Sequence, residues 1–226
     1  AIEVADVQQM RRGAMLLTLW QPKRGDGQAV MALLTRHIIA INLELMTDPD
    51  NHTPFADILA EIDGRAAVAI SSSLLADAVT GKGILLGGVA GISPCEVTIL
   101  GSGIAARAAA RSATGLGATV RMFDDDIYRL RKALQDLGPG VIGAALQPRA
   151  IASALRTADV IVATPMLRQR HFDDDPVSTM KRGVIVFDLL PGEDRVFPSL
   201  KAMDLATGLA KGPVAMGRMC YINARS

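Results

Sequence analysis

The hydrophobic and polar positions along the chain follow two periods, one typical of buried strands and one typical of helices. Predominantly apolar runs of strand length occur at 14–20, 38–45, 97–101, 118–124, 159–166 and 184–190. Such runs are typical of strands that are buried on both faces. Apolar residues at helical spacing occupy the intervening segments 27–36, 103–115, 127–137 and 148–158. Strands that alternate with helices predict an α/β fold with a parallel sheet.

A long apolar-periodic segment suggests that the chain contains more than one domain. Residues 54–79 predict one helix, which would be about 37 Å long and so longer than a compact domain requires. The glycine-rich segment GKGILLGGVAGISP, residues 81–94, follows it and predicts a short strand with loops. We therefore predict two domains, at residues 1–80 and 81–226.

The segment Gly101-Ser102-Gly103-Ile104-Ala105-Ala106 has the spacing GxGxxA. It stands between a predicted strand and a predicted helix, which is the context that dinucleotide binding requires. The first glycine permits a tight turn, the second lets the backbone approach a pyrophosphate, and the small third residue allows the helix to pack against the strand. A plain tight turn would use the same residues, and that alternative stays open.

Three consecutive aspartates end the next predicted strand. Asp124 stands about 20 residues after the second glycine, where a carboxylate holds the adenosine ribose of NAD and repels the 2′-phosphate of NADP. We expect Asp126 to cap the following helix and Asp125 to be solvated. Arg129 and Arg131 leave NADP open, since either could pair with a 2′-phosphate.

Composition and charge exclude several other classes of function. The net charge is +1 and aromatic residues are few, which does not favour nucleic-acid binding. An apolar run of about 20 residues is absent, so we expect no membrane span. Cys95 and Cys220 lack a CxxC pattern, and His37, His52 and His171 lack ligand spacing. We therefore expect reduced thiols, a cytoplasmic protein and no metal site.

Five segments resemble a known family: GKGILLGGVAGISP (81–94), EVTILGSG (96–103), GLGATVRMFDDDIYRLR (115–131), ADVIVATPM (158–166) and MKRGVIVFDLL (180–190). The sequence resembles the alanine dehydrogenase/nicotinamide nucleotide transhydrogenase family, and more closely its alanine dehydrogenase branch. The resemblance implies two Rossmann-like domains joined by long helices. Residues 1–80 would then be part of the substrate (catalytic) domain, and 81–226 would be the NAD-binding domain.

The resemblance also implies an activity, the reversible oxidative deamination of L-alanine to pyruvate and ammonia with NAD. The substrates would be a small amino acid and its oxo acid. A homo-oligomer is expected, because members of the family tend to assemble through their NAD domains.

The resemblance further assigns roles to individual residues. Those at the cofactor would be Gly101, Ser102, Gly103 and Ile104 at the pyrophosphate, Asp124 at the adenosine ribose, Arg129 beside the adenine, and Thr164, Pro165 and Met166 along the nicotinamide half. Asn223 would lie near both nicotinamide and substrate. Gln21 stands where the family usually has a catalytic histidine, although one branch shares the glutamine.

Other departures from the family concern the substrate side. The family's catalytic lysine would fall before Ala1, and its later aspartate would fall near Gly192. The chain begins AIEVADV, without Met, and we interpret it as a fragment that binds NAD but has negligible activity alone. The alternative is an NAD(H)-binding module of transhydrogenase type or a non-catalytic sensor. Charged or polar residues that could contact substrate are Gln21, Lys23, Arg24, Asp188, Glu193, Asp194 and Arg195.

Overall fold

The computed structural model describes residues 2–20, 22, 25–79, 81–165, 176–190 and 196–197, together with the backbone of 220–223. The chain divides into two compact units, Ala1–Leu59 and Ala60–Ser226. This division lies within the long helix and precedes the sequence-based boundary at residue 80. Its physical reason is that Ala67, Val68 and Leu75 of the helix are buried in the core of the larger unit. The functional domain boundary at residue 80 stays a prediction.

The smaller unit contains the predicted strand–helix–strand unit. Its elements are α1 (Val4–Gln9), β1 (Met15–Thr18), α2 (Gly27–Thr35), β2 (Ile39–Asn42) and the 3-10 helix Leu43–Leu45. β1 and β2 pair in parallel, with Met15 opposite Ile39. The strand predicted to reach residue 45 instead ends at Asn42, because the Asn42 side chain accepts the N–H of Glu44 at 2.9 Å and caps the 3-10 helix.

The larger unit is the predicted Rossmann-like sheet. Its elements are α3 (Pro54–Ala76, which begins in the smaller unit), β3 (Glu96–Leu100), α4 (Ile104–Gly115), β4 (Thr119–Asp124), α5 (Ile127–Leu137), β5 (Val141–Ala145), α6 (Pro148–Thr157), β6 (Val160–Ala163), the 3-10 helix Pro176–Thr179, β7 (Ile185–Asp188) and β8 (Cys220–Asn223). Within the described residues the strand order is β5-β4-β3-β6-β7-β8. β8 is antiparallel to β7, and the other pairs are parallel. The α/β prediction is therefore confirmed.

The glycine-rich segment 81–94 differs from its prediction. Instead of a short strand it forms a turn closed by a single bridge between Val89 and Ile92. Gly87 passes so close to the end of α4 that a Cβ there would lie 2.0 Å from the Leu116 carbonyl oxygen. Close backbone packing therefore requires this glycine.

Helices cover the sheet on both faces. One core contains side chains of α3, α4 and α5, and the other contains side chains of α6. α4 is rich in alanine, and a Cβ at Gly64 of α3 would lie 2.1 Å from the Ala105 carbonyl oxygen. The small residues thus allow α3 and α4 to approach closely. Among the described helices none has the length and hydrophobicity needed to cross a membrane.

A charged cluster ties the 81–94 segment to the amino edge of the sheet. The Asp159 carboxylate is 7% exposed and accepts hydrogen bonds from Lys82 Nζ at 3.0 Å and Lys181 Nζ at 2.7 Å. The Glu96 backbone N–H donates to its other oxygen at 3.2 Å. Burial by itself raises the pKa of Asp159, but the hydrogen bonds from Lys181, Lys82 and Glu96 outweigh it and hold the pKa below the ordinary value of 3.8.

We predict that Asp159→Asn lowers the free energy of unfolding by about 1–3 kcal/mol near neutral pH, the scale of hydrogen bonds to a charged group. A carboxylate with a lowered folded-state pKa stabilises the fold fully above its unfolded value of 3.8. That contribution is lost as pH falls through the folded-state pKa. The difference between wild type and variant should therefore shrink in that acidic window, as measured by urea unfolding across pH.

Asp136→Asn is the matched control, because Asp136 pairs with Arg107 at 2.8 Å while 44% exposed. Exposed pairs contribute little to stability. Equal destabilisation by the two substitutions would contradict the role given to Asp159.

Candidate functional site

The backbone turns sharply where β3 ends. Gly101 has a φ of +102°, in the left-handed region that favours glycine, and its N–H donates to the Phe123 carbonyl at 2.7 Å. Gly103 is the N-cap of α4, and Ile104 begins that helix. A helix N-terminus presents N–H donors and positive partial charge to an anion. The turn therefore has the form that the GxGxxA spacing predicts.

Asp124 lies beside this turn, at the end of β4. Its carboxylate is completely buried. The Ser102 hydroxyl donates to Asp124 Oδ2 at 2.5 Å, and the Asp126 backbone N–H donates to Oδ1 at 2.9 Å. The structure thus brings Ser102 and Asp124 together, two residues that the sequence analysis assigned to different parts of a cofactor.

Arg129 adds a cation next to the same turn. Asp126 caps α5 as predicted, because its Oδ1 accepts the N–H groups of Tyr128 at 2.8 Å and Arg129 at 3.1 Å. Arg129 Nη2 lies 3.3 Å from the position that a Cβ on Gly103 would occupy. The guanidinium is therefore close to the glycine turn. Asp125 was predicted to be solvated, but it is half-buried.

Thr164 and Pro165 follow β6 and complete the described part of the site. The Thr164 hydroxyl and backbone N–H both donate to the Leu100 carbonyl at 2.9 Å, which fixes the end of β6 against the end of β3. The Pro165 carbonyl oxygen is 4.0 Å from the Cβ position on Gly103. The carboxyl ends of β3, β4 and β6 thus meet at one edge, where ligands bind in open α/β sheets.

The space above the turn fits a phosphate group approaching the backbone. Among the described residues, a Cβ on Gly103 would meet only the end of the Arg129 side chain and, at ordinary contact distance, the Pro165 carbonyl. The first of these is a flexible side chain, not backbone. The residues present therefore leave a cradle at the glycine turn, with a cation and a helix N-terminus beside it.

The remaining predicted site residues either lie outside the described residues or are described away from the turn. Gln21 and Met166 lie outside the described residues, as do Lys23, Arg24 and the segment 191–195. Asn223 pairs with Ile185, the first residue of β7, and so lies at the amino edge, whereas Cys220 stands opposite Asp188. The role assigned to Asn223 stays a prediction.

Asp188 is a structural anchor at the carboxyl edge. Its completely buried carboxylate accepts the backbone N–H groups of Val196 at 2.7 Å and Phe197 at 3.3 Å through Oδ2. Leu190 N–H donates to Oδ1 at 3.3 Å. These bonds hold Leu190, Val196 and Phe197 against the end of β7, which is a different role from the substrate contact considered from the sequence.

His52 meets two carboxylates that sequence spacing did not single out. One ligand atom each from Asp48, Asp50 and His52 lies within 4.8 Å of the others. Asp48 accepts the backbone N–H groups of Asp50 and His52 and pairs with His52 Nδ1 at 2.9 Å. The backbone bond from His52 is the main reason why the pKa of Asp48 is lowered. These contacts close an exposed turn, and they explain the cluster without a metal.

The hydrogen bond between Ser102 and Asp124 is the feature of the site that the sequence did not reveal. A serine between two glycines is equally compatible with a hydroxyl that faces a phosphate. Only the pairing of β3 with β4, Leu100 opposite Phe123, brings the two side chains together. Strand register therefore decides the orientation of Ser102.

Comparison with known proteins gives the same picture of the larger unit. The family model "Alanine dehydrogenase/PNT, C-terminal domain" matches residues 67–190. Alanine dehydrogenase 2 of Staphylococcus aureus strain Mu50 is 31% identical over 177 residues, which are 76% of this chain and 47% of the relative. The chain therefore spans about half the length of the curated relatives it matches.

Solved structures resemble the fold over most of the chain. An L-alanine dehydrogenase has a TM-score of 0.78 at 26% identity, covering 89% of this chain and 57% of the other. A transhydrogenase from Sinorhizobium meliloti has a TM-score of 0.69 at 20% identity, covering 88% and 59%. The second likeness shows the fold alone.

We predict that Gly103→Val abolishes dinucleotide binding while the protein stays folded. The valine side chain would fill the cradle beside Arg129, into which the pyrophosphate would fit. Isothermal titration with NAD measures the loss, and circular dichroism checks the fold. Gly140→Val is the control, since among the described residues a Cβ there meets Thr114 alone, at ordinary contact distance. Undiminished NAD affinity in folded Gly103→Val would mean that the glycines serve the turn alone.

Proposed function

The chain belongs to the alanine dehydrogenase/PNT family, and we propose that its larger unit binds NAD(H) for the oxidative deamination of a small amino acid. The substrate proposed is L-alanine, which with NAD and water gives pyruvate, ammonia and NADH. The observation that carries the proposal is the buried Asp124 carboxylate beside the Gly101–Gly103 turn, 2.5 Å from Ser102. Family membership and the cradle above Gly103 support it.

The charges at the site favour NAD over NADP. Asp124 ends β4, where a carboxylate accepts hydrogen bonds from the adenosine ribose hydroxyls and repels a 2′-phosphate. Arg129 Nη2 lies near Gly103, so its charge is placed for the pyrophosphate of either cofactor. We therefore propose that Asp124 sets the preference and that Arg129, which the family resemblance places beside the adenine, contributes affinity for phosphate.

Each group in the proposed cofactor site has a distinct task. The turn Gly101–Gly103 and the N-terminus of α4 hold the pyrophosphate, and Asp124 holds the ribose. Thr164 and Pro165 lie along the nicotinamide half. NAD, when bound, supplies the hydride acceptor. The protein contributes the orientation of the two reacting partners, which can lower the barrier by about 7–11 kcal/mol.

The substrate side of the proposed site rests on family resemblance. The Gln21 amide can hydrogen-bond a carbonyl oxygen, but it cannot transfer a proton near neutral pH. Proton transfer would then fall to another group or to a water. Met166 and Asn223 are proposed near the nicotinamide from family resemblance alone, and the pairing of Asn223 with Ile185 at the amino edge does not support that position for Asn223. A cytoplasmic homo-oligomer is part of the same proposal.

Asp124→Ala should weaken NAD binding by about 1–3 kcal/mol, the scale of losing charge-assisted hydrogen bonds. NADP affinity should not fall in parallel, because the carboxylate opposes its 2′-phosphate. Titration of both cofactors measures the change in preference. Asp136→Ala is the control, since that carboxylate is exposed on α5 and pairs with Arg107. Equal affinity of the wild type for both cofactors would refute the assignment of Asp124.

We also expect the 226-residue chain to bind NAD and turn over L-alanine negligibly, while the full polypeptide that contains it is active. The chain corresponds to 47% of its curated relative, so on this proposal it supplies only part of the groups that position the substrate. NADH formation from L-alanine at alkaline pH is compared for both proteins, with Gly103→Val as the blank. Turnover by the short chain would mean that the active site is assigned to the wrong residues. A silent full polypeptide that binds NAD would favour the NAD(H)-binding module or sensor.

A further inference from the structure

The Ser102 hydroxyl is directed at a carboxylate and not into the cradle above the turn. Ser102 is 4% exposed and Asp124 is completely buried. The Ser102 Oγ to Asp124 Oδ2 distance of 2.5 Å is typical of a charge-assisted O–H···O⁻ hydrogen bond. A serine hydroxyl has one proton to donate. While that proton is donated to Asp124, the hydroxyl cannot donate to a phosphate.

The two donors to Asp124 act on different oxygens. Ser102 holds Oδ2, and the backbone N–H of Asp126 holds Oδ1 at 2.9 Å. Both donors lie on short, well-packed segments: Ser102 on the turn between β3 and α4, and Asp126 at the N-cap of α5. The carboxylate plane is therefore fixed from two sides. An ionised carboxylate has about four acceptor sites, so beside these two described donors each oxygen has one site for a further donor.

We propose that Ser102 is a positioning residue for the cofactor's adenosine ribose and acts through Asp124. This inference rests on the proposed function, and it assigns to Ser102 a different role from the pyrophosphate contact expected from the sequence. By fixing Oδ2, the hydroxyl directs the remaining acceptor sites of the carboxylate toward a vicinal diol. The matching ligand class is a nucleotide with free adenosine 2′- and 3′-hydroxyls, and the hydroxyl of Ser102 thereby supports the preference for NAD.

The role leaves the Ser102–Asp124 hydrogen bond in place, and the buried Asp124 carboxylate becomes accessible when the ribose binds. The ribose hydroxyls would donate to Asp124, whereas Ser102 continues to donate its own proton to the same group. The pyrophosphate is left to the backbone N–H groups at the start of α4 and to Arg129, whose Nη2 lies 3.3 Å from the Cβ position on Gly103. Recognition of ribose and recognition of phosphate are thus divided between separate groups.

The test measures Kd values for NAD, NADP and the NAD analogue that lacks the adenosine 2′-hydroxyl, using the full polypeptide. Ser102→Ala should raise the Kd for NAD by about 5- to 10-fold, the effect of one net hydrogen bond. It should change the Kd for NADP and for the deoxy analogue much less. Ser102→Thr, which keeps a hydroxyl, should restore most of the NAD affinity.

A double-mutant cycle separates positioning from direct contact. In an Asp124→Ala background, Ser102→Ala should have no further effect on NAD binding, because the carboxylate through which Ser102 acts is absent. Ser71→Ala is the matched control: the buried Ser71 hydroxyl donates to the Ala67 carbonyl at 2.7 Å within α3. It should lower stability to a similar extent and leave NAD affinity unchanged.

Different failures have different meanings. Equal weakening of NAD, NADP and the deoxy analogue by Ser102→Ala, persisting without Asp124, would overturn the inference and return Ser102 to the pyrophosphate. An unchanged Kd for NAD in folded Ser102→Ala would mean that the Ser102–Asp124 hydrogen bond has only a structural role. That result would also overturn the inference. A wild-type protein that binds none of the three nucleotides would overturn the proposed function itself.

Discussion

The pairing of β3 with strands on both sides is the constraint on which the candidate site depends. β3 pairs with β4 on one side and β6 on the other, both in parallel. The three strands therefore end at the same edge, with Leu100, Asp124 and Ala163 near their carboxyl ends. The chain passes from β3 to β4 on one side of β3, whereas β6 follows later in the sequence and pairs with the other side of β3. Such a reversal of strand order leaves a crevice at the carboxyl edge, and the glycine turn lies there.

Small residues make this arrangement possible by letting helices and turns approach one another. The Gly64 position on α3 leaves no room for a Cβ against Ala105, and Gly87 leaves none against Leu116. The buried alanines of α4 keep that helix close to β3 and β4. Because α4 begins at Ile104, its packing fixes where its N-terminus and the preceding Gly103 lie. The geometry of the turn is thus set by the core beneath it.

Much of this fold could be predicted from the sequence, and the reasons differ between elements. The helix predicted at 127–137 agrees with α5, because Asp126 caps its start and a glycine with positive φ, Gly138, follows its end. These are local signals. The short strand predicted within 81–94 was wrong: the segment turns between Val89 and Ile92, and its Gly87 packs closely against the end of α4. The Ser102–Asp124 bond was not foreseen either, since it joins residues through the register of two strands.

The charges of the larger unit are divided between the two edges of its sheet. At the amino edge, the Asp159 carboxylate accepts hydrogen bonds from Lys82 and Lys181 at 3.0 and 2.7 Å. Its oxygens are therefore paired with cations of the protein itself. At the carboxyl edge, the described donors to Asp124 are a hydroxyl and a backbone N–H, both uncharged. An uncharged donor orients a carboxylate without cancelling its charge. On the proposed function, Asp124 is the carboxylate that meets the adenosine ribose, while the structural role of a carboxylate paired with cations belongs to Asp159.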